Sequence, residues 1–158
     1  MKKITIICLV LILLFSFTSC TTVNKSIELS GDQKSIQSID IYDVSEQYYE
    51  GDITVLRSEN TPIYTLNPEQ YADFLDELLL LDFEEEAVFF PIPMDGGCDY
   101  FGYVISIVYT DGGYDIVAEE GQFSYSLGVD GKGRYKYEHA DYCGDVSWVD
   151  FVEKYIEK

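Results

Sequence analysis

The sequence predicts an α+β fold with a single antiparallel sheet, formed by N-terminal strands and a four-stranded C-terminal meander, and two helices packed on one face. Between residues 99 and 139, apolar and polar residues alternate over several short runs, which is the period of β-strands. Asp-Gly and other turn signals separate these runs at short intervals. Two other stretches repeat apolar residues at i, i+3, i+4, i+7 and i+8, the pattern of an amphipathic helix.

The N-terminal part of the domain contains two or three predicted strands. Residues 35–44 (SIQSIDIYDV) place isoleucines among polar residues, and residues 52–58 (DITVLRS) alternate and are rich in β-branched side chains. The segment SENTP then breaks the chain. Residues 63–66 (IYTL) are expected to form a short third strand.

The first predicted helix begins at Asn67 and runs to about Leu81. Asn67 is a favourable N-cap, Pro68 occupies the first helical position, and Gln70 completes the spacing of a capping box. The apolar stripe that follows consists of Tyr71, Phe74, Leu75, Leu78 and Leu79. The acidic run at residues 84–86 is expected to be a solvated turn.

Four further strands form the predicted meander. Asp111-Gly112-Gly113 joins the first strand (YFGYVISIVYT) to the second (YDIVAE), because Asp-Gly supplies the positive φ angles of a tight hairpin. Loop 130–133 joins the third strand (QFSYSLG) to the fourth (RYKYEH). The residues of the third strand expected to face inward are Phe123, Tyr125 and Leu127.

The chain closes with a second predicted helix. Asp145 is its expected N-cap, and Lys154 and Lys158 lie near its C-terminus, where the helix dipole favours positive charge. Its apolar stripe consists of Trp148, Phe151, Val152, Tyr155 and Ile156.

The first 20 residues have the layout of an export signal. Lys2 and Lys3 precede an apolar run of 14 residues (4–17), and small residues then lead to Cys20. The run is shorter than the roughly 20 residues that a membrane-spanning helix needs. The motif FTSC at residues 17–20 resembles the lipobox of bacterial lipoproteins, although an aliphatic residue usually stands where this chain has Phe17.

The resemblance implies that Cys20 receives diacylglycerol and becomes the first residue of the mature protein. Two acyl chains give stable anchoring, so the chain is expected on the extracytoplasmic face of the cell membrane. An ordinary cleaved secretory signal with a chance cysteine is the alternative. The expected organisation is a signal peptide (1–19), a flexible tether (20–34) and one globular domain (35–158), similar in composition and element order to small lipoproteins of Gram-positive bacteria.

The mature chain is strongly acidic. Loss of residues 1–19 removes Lys2 and Lys3, which leaves eight basic residues against 29 acidic ones, a formal charge of −21. Nucleic acid and anionic lipid headgroups repel such a domain, so nucleic-acid binding is excluded. The acidity either serves solubility alone or attracts a basic protein or a cationic ligand.

Cys98 and Cys143 are the cysteines that remain within the exported domain. Extracytoplasmic compartments preserve disulfides, and a bond between these two would close a loop of about 46 residues, worth roughly 4 kcal/mol. Two buried free thiols, or metal ligands, are the alternatives. A zinc site lacks its usual spacing, because there is no CxxC pair and His139 is the only histidine.

The sequence contains no recognisable catalytic motif, and we expect no enzymatic activity, no cofactor and no metal site. A serine or cysteine nucleophile needs a base, and His139 is more simply a packed residue. The motifs GxSxG and HExxH and the phosphate-binding glycine loop are absent from the sequence. Loose calcium binding at Asp111 with Asp115 or Asp130 is a minor alternative.

The prediction is therefore a monomeric binding module at the cell surface. Its expected binding surface is the solvent-facing side of the meander, where Tyr100 and Tyr114 lie beside the acidic hairpin residues Asp111 and Asp115. Core packing alone would also account for these tyrosines. An inhibitor or immunity-type protein that blocks a secreted or envelope enzyme is the alternative, and a small hydrolase is a third. Charge reversal at Asp111 and Asp115 is expected to leave folding intact.

Overall fold

The computed structural model describes residues 22–44, 56–58, 60–86, 102–119, 121–128, 130–139 and 141–156. Cys20, Cys98 and Tyr100 lie outside these ranges, and so do residues 52–55 of the second predicted strand. The described elements are β1 (Thr22–Lys25), β2 (Ile36–Asp43), β3 (Tyr64–Thr65), α1 (Tyr71–Leu78), β4 (Phe83–Glu86), β5 (Tyr103–Tyr109), β6 (Tyr114–Ala118), β7 (Gly121–Leu127), β8 (Gly133–His139), β9 (Asp141–Tyr142) and α2 (Trp148–Ile156). Single 3₁₀ turns precede β2 (Gln33–Ser35) and α1 (Pro68–Gln70).

The described strands form two antiparallel sheets. The larger sheet has six strands in the order β3-β2-β5-β6-β7-β8, and the smaller has β4 between β1 and β9. Each neighbouring pair in both sheets is antiparallel. The predicted α+β class, with an antiparallel sheet and two helices, is confirmed. The small sheet is an addition that the sequence pattern did not indicate.

Both helices pack on the same face of the large sheet, as predicted. The buried residues of α1 are Phe74, Leu75 and Leu78, and those of α2 are Trp148, Phe151, Val152 and Tyr155. They form one core cluster with Ile39, Ile41, Ile105 and Ile107 of the sheet. The Tyr155 ring meets the Phe74 ring edge-on, with centroids 4.9 Å apart, which is a favourable aromatic geometry.

The opposite face of the large sheet carries a second apolar cluster. Its buried members are Tyr42, Val44, Leu56, Val104, Val108, Tyr114, Ile116 and Ala118. Phe123 and Tyr125 pack against this cluster, on the side away from the helices. Leu127 is 45% exposed, so its predicted inward position is wrong. Its cross-strand partner is Gly133, which has no side chain to cover it.

The predicted helix ends need small corrections. The Asn67 N–H donates to Gln70 Oε1 (2.9 Å), which confirms that half of the capping box, but α1 ends at Leu78 rather than Leu81. The N-cap of α2 is Ser147, whose hydroxyl accepts a hydrogen bond from the Asp150 N–H (3.0 Å). The prediction of Asp145 as the cap is wrong because Ser147 stands directly before the first helical residue.

Two segments differ from their predicted secondary structure. Residues 56–58 are helical rather than extended, and both the backbone N–H and the side-chain amide of Asn60 donate to Leu56 O (3.1 Å each). Leu56 and Arg57 are good helix formers. Residues 84–86 belong to β4 rather than to a solvated turn, because β1 and β9 supply strand partners on its two sides.

The segment predicted as a flexible tether is part of the folded domain over residues 22–34. Thr22–Lys25 pairs residue by residue with Phe83–Glu86. Ile27 is 6% exposed and belongs to the core between sheet and helices. The prediction of a tether is therefore wrong for this part of the chain, because non-local strand pairing and core burial offset the polar composition.

Candidate functional site

The predicted binding surface on the first hairpin is largely buried. Asp111 is exposed at the turn, and its Oδ1 accepts a hydrogen bond from the Gly113 N–H (2.9 Å). Tyr114 is 7% exposed and stacks on Tyr125 with ring centroids 5.3 Å apart, while Asp115 is fully buried. The predicted solvent-facing position of Tyr114 and Asp115 is wrong, because both faces of β6 are covered. Tyr100, the other predicted anchor, lies outside the described residues.

The Asp115 carboxylate holds the N-terminal segment against the sheet. Its Oδ2 accepts hydrogen bonds from the Tyr109 hydroxyl (2.5 Å) and from the Ser30 N–H (2.9 Å), and Gln122 Nε2 lies 3.4 Å from its Oδ1. Burial and the neighbouring Asp115 charge raise the pKa of Tyr109 above its usual range. A Cβ atom on Gly31 would meet the Tyr109 ring at 2.7 Å, so the close approach of the segment needs glycine there.

Gln122 completes this attachment. Its Nε2 donates to Glu28 O (2.7 Å), and its Oε1 accepts from the Glu28 N–H (3.2 Å). The side-chain amide therefore pairs with one residue of the segment as a neighbouring strand would. Because Asp115 is buried and binds Ser30, and Gln122 binds Glu28, charge reversal at Asp115 is expected to destabilise the domain, contrary to the expectation from the sequence.

A groove between the end of α1 and the start of α2 is the better candidate binding site. We call it the helix-end groove, and its volume is about 370 Å³. It is lined by residues 80–82 and 144–146 and by Glu77, Tyr142, Asp150, Phe151 and Lys154. Leu80 and Val146 are 80% and 55% exposed. Large exposed apolar side chains around one concavity are typical of an interaction site.

Backbone and side-chain contacts hold the walls of the groove in place. The Phe83–Tyr142 pairing of β4 with β9 brings the two rings together edge-on, with centroids 5.5 Å apart. The Tyr142 hydroxyl donates to Val146 O (2.6 Å), and the Cys143 N–H donates to Asp82 O (3.0 Å). Gly144 allows this arrangement, since a Cβ there would collide with the Tyr142 hydroxyl.

The electrostatics of the groove are negative. Asp82, Asp145 and Asp150 lie on its rim, and none of them forms an ion pair within the described part of the chain. Lys154, the one cation among the lining residues, lies 2.5 Å from Glu77 Oε2 and is neutralised by it. Burial, together with the charges of Cys143, Asp82 and Asp145, raises the pKa of Tyr142.

Arg57, in the central part of the sequence, is also paired with a carboxylate outside the groove. Arg57, the only basic residue between Lys34 and Lys132, lies 3.2 Å from the buried Asp40 carboxylate. Asp40 also accepts hydrogen bonds from the hydroxyls of Ser38 (2.9 Å) and Thr65 (2.7 Å). Neither Arg57 nor Lys154 therefore neutralises the rim carboxylates of the groove.

Cys143 lies next to the groove, is exposed, and has no disulfide partner among the described residues. Desolvation and the charges of Glu84 and Asp82 raise its pKa, which keeps the thiol protonated and lowers its reactivity at neutral pH. Its predicted disulfide partner, Cys98, lies outside the described residues, so the disulfide remains a prediction.

Sequence reasoning overlooked the helix-end groove, although one signal was present. Residues 78–81 are four consecutive leucines, whereas the helical stripe needs only Leu78 and Leu79. Leu80 points away from that stripe and is exposed. The other wall comes from residues 142–146, which are distant in sequence and join it only in the folded domain.

Within the described residues, neither α1 nor α2 is long and apolar enough to cross a membrane, and no group of three or more His, Cys, Asp or Glu side chains is arranged to hold a metal ion. Comparison of the whole chain with protein-family models, with curated proteins and with solved structures finds no match.

Proposed function

We propose that this chain is a lipid-anchored extracytoplasmic binding module whose helix-end groove receives an apolar side chain flanked by positive charges on a partner protein. The observation that carries this proposal is an exposed apolar groove whose rim bears three carboxylates that form no ion pair with any described residue. Burying an apolar side chain there removes the exposed surface of Leu80 and Val146 from water. Flanking lysines or arginines match the rim charge and accelerate association.

The fold supports an outward orientation of the groove. If Cys20 carries the lipid, only Thr21 separates it from Thr22 of β1, and two residues span at most about 7 Å. Thr22 pairs with Glu86 at the far end of β4, whereas Phe83 at the other end adjoins the groove. Three residue steps along a strand cover roughly 10 Å. The anchor would then lie at one end of the small sheet and the groove at the other.

Mass spectrometry of the native protein tests the anchor. We expect the chain to begin at Cys20 with the added mass of acyl chains and without residues 1–19. Cys20→Ser is expected to abolish acylation, because serine lacks the sulfur atom that carries the diacylglyceryl group. An unmodified N-terminus at another residue would contradict the anchor. The same spectra report whether Cys98 and Cys143 are two hydrogens lighter than free thiols.

Site-specific photocrosslinking in intact cells tests the groove. A benzophenone side chain at position 80 is expected to crosslink one predominant basic protein, and the same group at position 63 is not. Ile63 is a matched control because it is also a large, exposed apolar side chain (48% exposed) but lies outside the groove. Equal crosslinking at both positions would refute the groove as the binding site and leave the anchor unaffected.

Charge reversal on the rim tests whether the partner recognises the groove itself or is attracted only by the negative net charge of the domain. Asp145→Lys is expected to weaken the position-80 crosslink severalfold and to reduce its dependence on salt, because a rim charge contributes to association. Asp43→Lys makes the same charge change at an exposed residue of β2 and is expected to have little effect. If both variants reduce crosslinking equally, the attraction comes from net charge rather than from the groove.

A further inference from the structure

A second pocket carries positively charged side chains, in contrast to the acidic helix-end groove. It has a volume of about 330 Å³ and is lined by residues 28–30 of the N-terminal segment and by side chains of β7 and β8. It shares no lining residue with the helix-end groove. Three of the eight basic residues of the mature chain, Lys132, Arg134 and Lys136, fall at or beside this pocket within five positions.

The strand register assembles the polar wall of the pocket. Ser124 stands directly opposite Lys136, and Ser126 directly opposite Arg134, on neighbouring strands. Residues paired in this way project from the same face of a sheet. Two cations and two hydroxyls are therefore presented together.

The serine hydroxyls that line the pocket can donate hydrogen bonds to a ligand. Ser30 Oγ is buried and has no hydrogen-bond partner among the described residues. Ser124 Oγ accepts a hydrogen bond from Gln122 Nε2 (3.2 Å), which leaves its own hydrogen available to donate. A buried hydroxyl without a partner is uncommon and costly, so a ligand acceptor at Ser30 would satisfy it.

Each cation of the pocket has a carboxylate neighbour among the described residues. Arg134 lies 3.9 Å from Asp130, and Lys136 lies 3.5 Å from Glu28, with all four side chains more than half exposed. Exposed ion pairs of this kind contribute little and are screened by salt. An oxyanion that enters the pocket can replace these contacts without a large loss.

We propose that this pocket binds a small molecule through a carboxylate or phosphate group. Ser30, Ser124, Arg134 and Lys136 are hydrogen-bond donors, and two of them are positively charged, so an anion with several acceptor oxygens matches them best. The volume exceeds that of a free ion and lies in the range of small-ligand sites, so the group belongs to a larger molecule. The site is separate from the helix-end groove and does not depend on the proposed partner.

Titration of the ¹⁵N-labelled purified protein with inorganic phosphate, and separately with acetate, tests this site. Sodium chloride holds the ionic strength constant in both titrations. We expect saturable shifts at the amides of Ser30, Ser124 and Ser126 in the millimolar range. The anion that binds more tightly identifies the ligand group. Absence of saturable shifts with both anions would overturn the proposal.

Matched variants identify the contacts. Arg134→Gln and Lys136→Gln are each expected to weaken binding about tenfold, the loss typical of one charge-assisted hydrogen bond. Lys132→Gln removes the same charge beside the pocket but from a residue that does not line it, and is expected to change affinity less than twofold. Ser30→Ala is expected to weaken binding, because it removes one of the hydroxyl donors that line the pocket. Equal losses in all three cation variants would mean that the anion responds to net charge only.

Discussion

Asp115→Ala is expected to lower the free energy of unfolding by about 3 kcal/mol or more. The substitution leaves the Tyr109 hydroxyl and the Ser30 N–H without their acceptor inside the protein, and Gln122 Nε2 loses its weaker contact. Each buried donor that loses its partner costs about 1–3 kcal/mol. A domain of this size has a total stability of only about 5–15 kcal/mol, so the loss is a large fraction of it. Urea denaturation followed by circular dichroism measures the change.

The location of the damage distinguishes this attachment from a general core defect. Hydrogen exchange in Asp115→Ala is expected to accelerate first at the amides of residues 28–31, which the carboxylate and Gln122 hold against the sheet. Asp111→Ala is the matched control, since this acid of the same hairpin is exposed and caps only the Gly113 N–H. Stabilities of the two variants within about 0.5 kcal/mol of each other would contradict the role assigned to Asp115.

Much of the fold follows from local patterns. The meander and both helices were predictable because each is specified by its own periodicity and by adjacent turn or cap residues, such as Asp111-Gly112 and Asn67-Pro68. The hairpin turn has Gly112 at φ +88°, as the Asp-Gly pair indicates. Errors at helix ends, such as Asp145 for Ser147 and Leu81 for Leu78, are shifts of two or three residues in otherwise correct elements.

The elements that escaped prediction depend on partners far away in sequence. β1 and β4 pair across about 60 residues, and neither the polar run TVNK nor the acidic run FEEE has a strand pattern of its own. Asp115 stands between Tyr114 and Ile116 in β6, so its side chain lies on the opposite face of the sheet from theirs. If only the face of Tyr114 and Ile116 were covered, Asp115 would be exposed to solvent. Here residues 28–31 cover that second face. The helix-end groove was hidden for the same reason, since its two walls meet only after folding.

Alkaline pH is expected to unfold the protein with an unusually steep loss of stability above about pH 10. Burial and Asp115 raise the pKa of Tyr109, and burial and Glu77 raise that of Tyr155. Below pH 10 both residues are protonated in the folded and unfolded states, so their contribution to stability is fully present. As the pH rises further, the unfolded chain releases these protons while the folded protein keeps them. Stability then falls by about 1.4 kcal/mol per pH unit for each tyrosine.

Tyr109→Phe separates this titration from other effects of alkali. The variant loses the hydroxyl that donates to Asp115, so its stability at pH 7 is expected to be lower than that of the native chain. It also lacks the phenolic proton that Tyr109 releases when the chain unfolds above pH 10. The stability of the variant therefore declines less steeply with pH, and its stability curve approaches that of the native protein. Urea midpoints at a series of pH values, with tyrosinate absorbance near 295 nm recorded in parallel, measure both slopes. Parallel curves for the two proteins would mean that Tyr109 ionises in the folded state as easily as in the unfolded chain, and would contradict the raised pKa of Tyr109.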